Sequence, residues 1–206
     1  MLTGKNPITG KHLSSSAGEP NRIKIWQHRA DGNRQECYLP IEQDGSPLWL
    51  QHHEYGNTVD VAILPVCHDD RFVFFPINEQ DDPPPSDFEP MVGKELFVLG
   101  YPFGKLALEL SPYPIWKRAS IATELDFLVE NRPMFLVDTA TRSGMSGSPV
   151  VFIAGQFQQF MGVYSGRYGA NDLNDIQLGR VWRTTLIPQI LEFGLRGNKY
   201  CVQEKD

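Results

Sequence analysis

The sequence predicts an all-β chain in two units, closed by a single helix. From Arg22 onward, short apolar stretches alternate with turn residues, and the first of them, RIKIWQH, has the period of two of a half-buried strand. A second observation is the acidic, proline-rich stretch NEQDDPPPSDFEP, which interrupts the strand pattern once. The third is TTLIPQILEFG, where the spacing turns helical.

The elements follow in order. ECYLPI, LWLQHH, VDVAILPV and RFVFFPI succeed RIKIWQH at close intervals and point to antiparallel structure in a first unit, residues 1–80. Three successive prolines, Pro83 to Pro85, cannot donate ladder hydrogen bonds and favour an extended, solvated chain, so residues 81–90 are assigned as a linker. ELFVLGYP, KRASIATEL, MFLVDTA, SPVVFIAG, QFMGVYSG and GRVWR form a second all-β unit within residues 91–206. In the terminal segment, Leu186, Ile187, Ile190, Leu191 and Phe193 fall near one helical face, with Thr184 or Thr185 as the cap and Gly194 as the stop.

Composition excludes several classes of function. With 206 residues, 41% of them apolar, the chain fills the core of a soluble globular protein. Its 19 basic against 25 acidic residues give −6, without a basic cluster to neutralise phosphates, so nucleic acid is not an expected partner. Cys37, Cys67 and Cys201 are widely spaced and include no CxxC pair, which suggests reduced thiols in a cytoplasmic protein. MLTGKNPITGKHLSSS lacks the charged head and apolar stretch of a signal peptide, and nothing later approaches a membrane span. No metal or cofactor is expected: His52 and His53 lack the HExxH spacing, and CHDD, Cys67 to Asp70, is expected to be a polar turn.

One loop stands apart from this pattern: TRSGMSGSPVVF, Thr141 to Phe152. A serine hydroxyl attacks an acyl carbon only if a base takes its proton, and the oxygen anion that forms needs donors already aimed at it. A glycine at 144 lets the backbone turn its own N–H inward, beside that of Ser146, where a Cβ would obstruct the turn. A strand-to-helix nucleophile elbow needs GxSxG, but Ser148 stands where its last glycine belongs, and Pro149 leads into a strand. The remaining alternative is a plain glycine-serine turn.

TVDVAILPV places Asp60 within an apolar run, where a carboxylate needs partners to offset its desolvation, and a histidine ring N–H is one such partner. From Asp60 to Ser146 is 146 − 60 = 86 residues. The chymotrypsin template has the order His, Asp, Ser with roughly 90 residues between the last two. DVAIL, LFVLGYPFG, FLVDTATRSGMSGSPVV, FMGVYSGR and LGRVWRTTLIPQIL together resemble the trypsin-like serine peptidases, in the bacterial branch whose serine loop is GxSGSP. The resemblance covers roughly residues 20 to 195.

It implies two antiparallel β-barrels of chymotrypsin type, the first incomplete, and a serine endopeptidase acting on a polypeptide substrate. Ser146 is then the nucleophile, Asp60 the histidine orienter, and Gly144 with Ser146 the oxyanion donors. Substrate pairs with the backbone of Tyr164, Ser165 and Gly166. The position at the base of the primary pocket falls on Ala140, so an acidic pocket for Arg or Lys is not expected, and Asp138 is two positions out of register.

The base is the open question. The template separates His and Asp by roughly 45 residues, and 60 − 12 = 48 makes His12 the histidine at that distance. Its context, NPITGKHLSSS, is polar and has no preceding strand. MLTGKNPITG resembles instead the segment that follows the catalytic histidine in this branch, which places that histidine before Met1. His28 is expected as a polar residue at a strand edge, and His52 and His53 on opposite faces of one hairpin with Asp60. Without its base the chain is expected to be nearly inactive. The alternative function is a non-catalytic peptide-binding or interaction module on the same fold; an esterase on an α/β-hydrolase fold requires helices that the pattern lacks.

Overall fold

The computed structural model describes residues 11–12, 14–56, 58–66, 69–74, 76, 89–104, 111, 113–168 and 177–197. The expected linker lies almost wholly outside these residues, as do Cys67, His68, Cys201 and the MLTGKNPITG segment. Among the described residues the regular structure is strand apart from one helix. The chain divides into two compact units, Pro76–Leu186 on one hand and Met1–Phe75 with Ile187–Asp206 on the other.

The unit Pro76–Leu186 is a closed antiparallel barrel. Its strands are β8 (Glu95–Gly100), β9 (Ile115–Ile121), β10 (Met134–Asp138), β11 (Pro149–Ala154), β12 (Phe157–Arg167) and β13 (Leu178–Arg183). Their order around the barrel is β10-β13-β12-β11-β8-β9, and β9 closes onto β10 through Val137↔Ile121. The alternation in β8 shows why the sheet curls: Leu96 and Val98 point inward and are fully buried, while Glu95 and Phe97 stay partly solvated. Inward residues of the other strands, among them Ile121, Phe135, Val137, Val150, Phe152, Tyr164 and Val181, complete one continuous core.

Two register shifts deform β12. Opposite β11 the pairing passes from Val150↔Gly162 to Val151↔Phe160, and opposite β13 from Tyr164↔Val181 to Gly166↔Arg180. The second shift leaves Ser165 as an extra, unpaired residue, a β-bulge that bends the strand locally. Gly162 tolerates no side chain, because a Cβ there would stand 1.9 Å from the Trp182 carbonyl oxygen of β13.

The other unit forms open sheets: β2-β1-β7, β14-β5-β6 and the hairpin β3-β4. Here β1 is Arg22–Arg29, β2 Arg34–Pro40, β3 Glu42–Gln43, β4 Ser46–Pro47, β5 Leu50–Gln51, β6 Ala62–Ile63, β7 Phe72–Val73 and β14 Leu195–Arg196. β1 is a central strand, so His28, expected at a strand edge, faces Arg34 on one side and Val73 on the other. The helix α1 (Leu186–Phe193) begins where expected and carries Pro188 in its first turn, where no intrahelical acceptor awaits the missing N–H. Gly194 ends it, its amide donating to the Ile190 carbonyl at 2.9 Å. The segment from Ile187 groups with the N-terminal strands: Leu195 and Arg196 pair with Gln51 and Leu50, and a Cβ on Gly197 would meet the buried Trp49 indole nitrogen at 1.6 Å.

Candidate active site

The serine loop runs between β10 and β11 and is pinned at several points. Met145 buries its side chain in the barrel core. Ser148 is also buried, in space that exists only because residue 100 is a glycine: a Cβ there would lie 2.0 Å from the Ser148 hydroxyl. Beyond the loop, Tyr164 of β12 exchanges two backbone bonds with it, the Gly147 amide donating to Tyr164 at 2.7 Å and the Tyr164 amide donating to Ser148 at 2.9 Å.

Backbone accounting along the loop then singles out two amides. Met145 donates to Arg142, Gly147 to Tyr164 and Ser148 to Met145. Among the described residues no backbone carbonyl accepts from Gly144 or Ser146. Gly144 has φ +94°, a conformation that side chains disfavour, and a Cβ on it would meet the Tyr101 carbonyl oxygen at 2.6 Å. Gly147 follows with φ +88°.

Ser146 itself is exposed, and its hydroxyl donates to the Ser165 carbonyl at 3.3 Å. The bulge at Ser165 takes that residue out of the β12–β13 pairing and leaves its carbonyl for this contact. Gly166, φ +122°, comes equally close: a Cβ there would be 3.5 Å from the Ser146 hydroxyl. Ser146, Ser165 and Gly166 are therefore neighbours. A carbonyl oxygen accepts a hydrogen bond but takes no proton at neutral pH, so this contact parks the hydroxyl without activating it.

Tyr164 is tied to the loop through both backbone groups, its carbonyl accepting from Gly147 and its amide donating to Ser148. Its ring is buried, the hydroxyl is hydrogen-bonded to that of Thr141, and its edge lies against Gly179, where a Cβ would come within 2.4 Å. Ala140 is half-buried, and Asp138, at the end of β10, is exposed.

In the other unit, Asp60 is exposed while Val59 and Val61 on either side are buried. The apolar run thus faces inward on alternate residues and leaves the carboxylate exposed, not in the apolar surroundings expected for it. His52 and His53 do not point to opposite faces. Their rings stack with centroids 4.7 Å apart, because residues 53–55 form a turn and not a strand. His52 is almost fully buried: its Nδ1 accepts from the amides of Glu54 and Tyr55 at 3.2 and 3.3 Å, and its Nε2 meets the Gln189 Oε1 at 3.1 Å. Both ring nitrogens are therefore committed to hydrogen bonds. His12 is exposed.

A profile described as a trypsin-like peptidase domain matches residues 4–157, a span that contains Asp60 and the whole serine loop. The chain belongs to the trypsin-like peptidase family. No curated protein matches it. Among solved structures, this trypsin-like peptidase is similar to the Rv3671c protease from M. tuberculosis in its active form, at 17% identity over 96% of this chain and 88% of that one, with a TM-score of 0.38. Among the described residues no helix is long and apolar enough to cross a membrane.

Ser146, Gly144 and Gly166 stand out in the sequence as candidates, but the parts that hold them in place do not: the Thr141–Tyr164 pair, the bulge at Ser165, and the Tyr101–Gly104 turn against Gly144. A Pro-Phe-Gly turn after an apolar strand was visible in LFVLGYPFG, but which loop it touches is a tertiary matter.

Proposed function

We propose that this trypsin-like peptidase is a serine endopeptidase in which Ser146 is the nucleophile. The observation that carries this reading is the pattern of committed and uncommitted groups around Ser146. Gly144 and Ser146 keep their amides out of the loop's internal bonding, as a site for a developing oxyanion requires, while the amides between and after them lock the loop. As the Ser146 oxygen attacks a peptide carbonyl, a base takes its proton and a tetrahedral intermediate forms; collapse of that intermediate passes the proton to the departing amine and leaves an acyl group on Ser146, which water then hydrolyses to the free acid.

Substrate backbone pairs with Ser165 and Gly166. β11 begins at Pro149, opposite Val163, so among the described residues those of β12 beyond Tyr164 have no strand beside them on that side. Asp60 orients the base. His52 does not serve as that base, since both of its nitrogens are engaged by its own turn and by Gln189.

A fluorophosphonate probe tests the proposal, with and without imidazole in the buffer to supply an external base. Labelling that rises with imidazole and disappears in Ser146→Ala supports the nucleophile. A folded chain that stays unlabelled under both conditions favours the second reading, a peptide-binding module that keeps the barrel and performs no acyl transfer.

A further inference from the structure

The loop that bears Ser146 does not orient its own Gly144 amide; an outside element does. Pro102 and Phe103 form the corners of a tight turn in which the Gly104 amide donates to the Tyr101 carbonyl at 2.9 Å. With proline at the first corner and φ +58° at the second, this is a type II turn, whose second corner is ordinarily glycine or asparagine. Phenylalanine there holds a left-handed backbone without the usual residue type. Its side chain gives little in return, being 58% exposed.

What that conformation achieves is visible one bond away. A type II turn rotates its central peptide relative to a type I turn, and the Phe103 N–H so exposed donates to the Ser143 carbonyl at 2.6 Å. Ser143 C=O and Gly144 N–H belong to one peptide group, which is planar and trans, so the two point in opposite directions. Fixing the carbonyl on the Phe103 side aims the Gly144 amide away from the turn. The fit is tight on every side: a Cβ on Gly144 would lie 2.6 Å from Tyr101 O and 3.0 Å from the amide nitrogens of Phe103 and Gly104.

We infer that the Tyr101–Gly104 turn is a positioning device for the proposed oxyanion site, with Phe103 as its positioning residue, acting through its backbone N–H on the Ser143–Gly144 peptide. Strained backbone persists where surrounding structure enforces it, and it clusters where geometry serves function. Without this bond the Ser143–Gly144 peptide is flanked by exposed residues and by a glycine free in both backbone angles, so little else holds it. The inference rests on the reading of Ser146 as nucleophile for its meaning, but not for the anchoring itself.

The test replaces the residue at 103 in the full chain by the α-hydroxy acid analogue of phenylalanine, which exchanges the N–H for an ester oxygen and keeps the side chain. Phe103→Gly is the companion variant, keeping the N–H and losing the side chain. Residual dipolar couplings of the Gly144 N–H report the orientation of the peptide, and fluorophosphonate labelling of Ser146 in imidazole reports the consequence. The expected results are an altered Gly144 coupling and labelling slowed by about tenfold or more in the ester variant, since one oxyanion donor is worth at least that much. Phe103→Gly, which keeps the N–H, should retain the parent's Gly144 coupling.

An unchanged Gly144 coupling in a folded ester variant overturns the proposal. So does a Phe103→Gly chain that loses as much labelling as the ester. If the parent is never labelled, the nucleophile reading fails, and the dipolar coupling still decides whether the turn holds the peptide.

Discussion

The hydroxyl of Tyr164 is hydrogen-bonded to the hydroxyl of Thr141 inside the barrel, with both side chains almost completely buried. The pair ties β12 to the first residue of the serine loop. Removing either hydroxyl takes a hydrogen bond from the other in a place that water does not reach. Tyr164→Phe should therefore cost about 1–3 kcal/mol in urea unfolding, and Thr141→Val a similar amount. The double variant should cost distinctly less than the sum, because an apolar pair of the same shape leaves no unpaired hydroxyl. Strict additivity would mean that the two hydroxyls do not depend on each other.

His52 yields a prediction that separates structure from catalysis. Its ring satisfies two backbone amides and one glutamine oxygen in a nearly closed environment. His52→Ala should destabilise the protein by about 2 kcal/mol or more, through three unpaired groups and a cavity. The imidazole-dependent labelling of Ser146, measured at a temperature where the variant is folded, should be unchanged. Loss of labelling without loss of stability would make His52 a candidate base.

Much of the barrel was legible because its strands obey local rules. ELFVLGYP is legible as a strand from its apolar run ended by Gly100 and Pro102, whereas which of Leu96 to Leu99 face the core is decided by the barrel, which buries Leu96 and Val98. The strands of the other unit were less so. VDVAILPV shrinks to Ala62–Ile63, since a long apolar run sets burial but not which residues find a partner strand. The site was legible in its chemistry and not in its supports. SGMSGSP announces a serine between two glycines of unusual backbone, whereas the bulge at Ser165 arises from the mismatch of β12 with β13, which no single strand records. His52 was misplaced for the same reason: a turn of residues 53–55 stacks the two imidazoles, where strand periodicity separates them.

On the exposed face of β2, Glu36 is paired with the Tyr38 hydroxyl and with the Lys24 ammonium across the strand. The Tyr38 hydrogen bond first, and the Lys24 contact after it, hold the Glu36 carboxyl below its ordinary value of 4.5. A carboxyl whose value is depressed on folding contributes stability above its unfolded value and loses it as the pH falls through the folded one. The same bond raises the Tyr38 phenol above 10.0, so its contribution fades only as the pH rises through that raised value. Titration of the Glu36 side-chain carbonyl by NMR should give a midpoint below 4.5, moving upward in Tyr38→Phe. A midpoint indifferent to that substitution would assign the shift to Lys24 instead.

Gly144→Ala joins the two halves of the site. The substitution places a methyl group 2.6 Å from the Tyr101 carbonyl oxygen, on a residue whose φ of +94° alanine resists. Neither obstacle is flexible, since both are backbone. The loop must therefore retreat from the turn, and the Phe103 bond to Ser143 lengthens or breaks. Met145 in the core and the Tyr164 bonds to Gly147 and Ser148 remain to hold the rest of the loop. Global stability should fall by only about 1–3 kcal/mol, the range for strain at a special backbone position. Labelling of Ser146 should fall by about 100-fold, the loss expected when one oxyanion donor is displaced. Stability measured by urea unfolding and labelling measured under native conditions thus respond very differently. Equal proportional losses in both would show that Gly144 serves the fold alone.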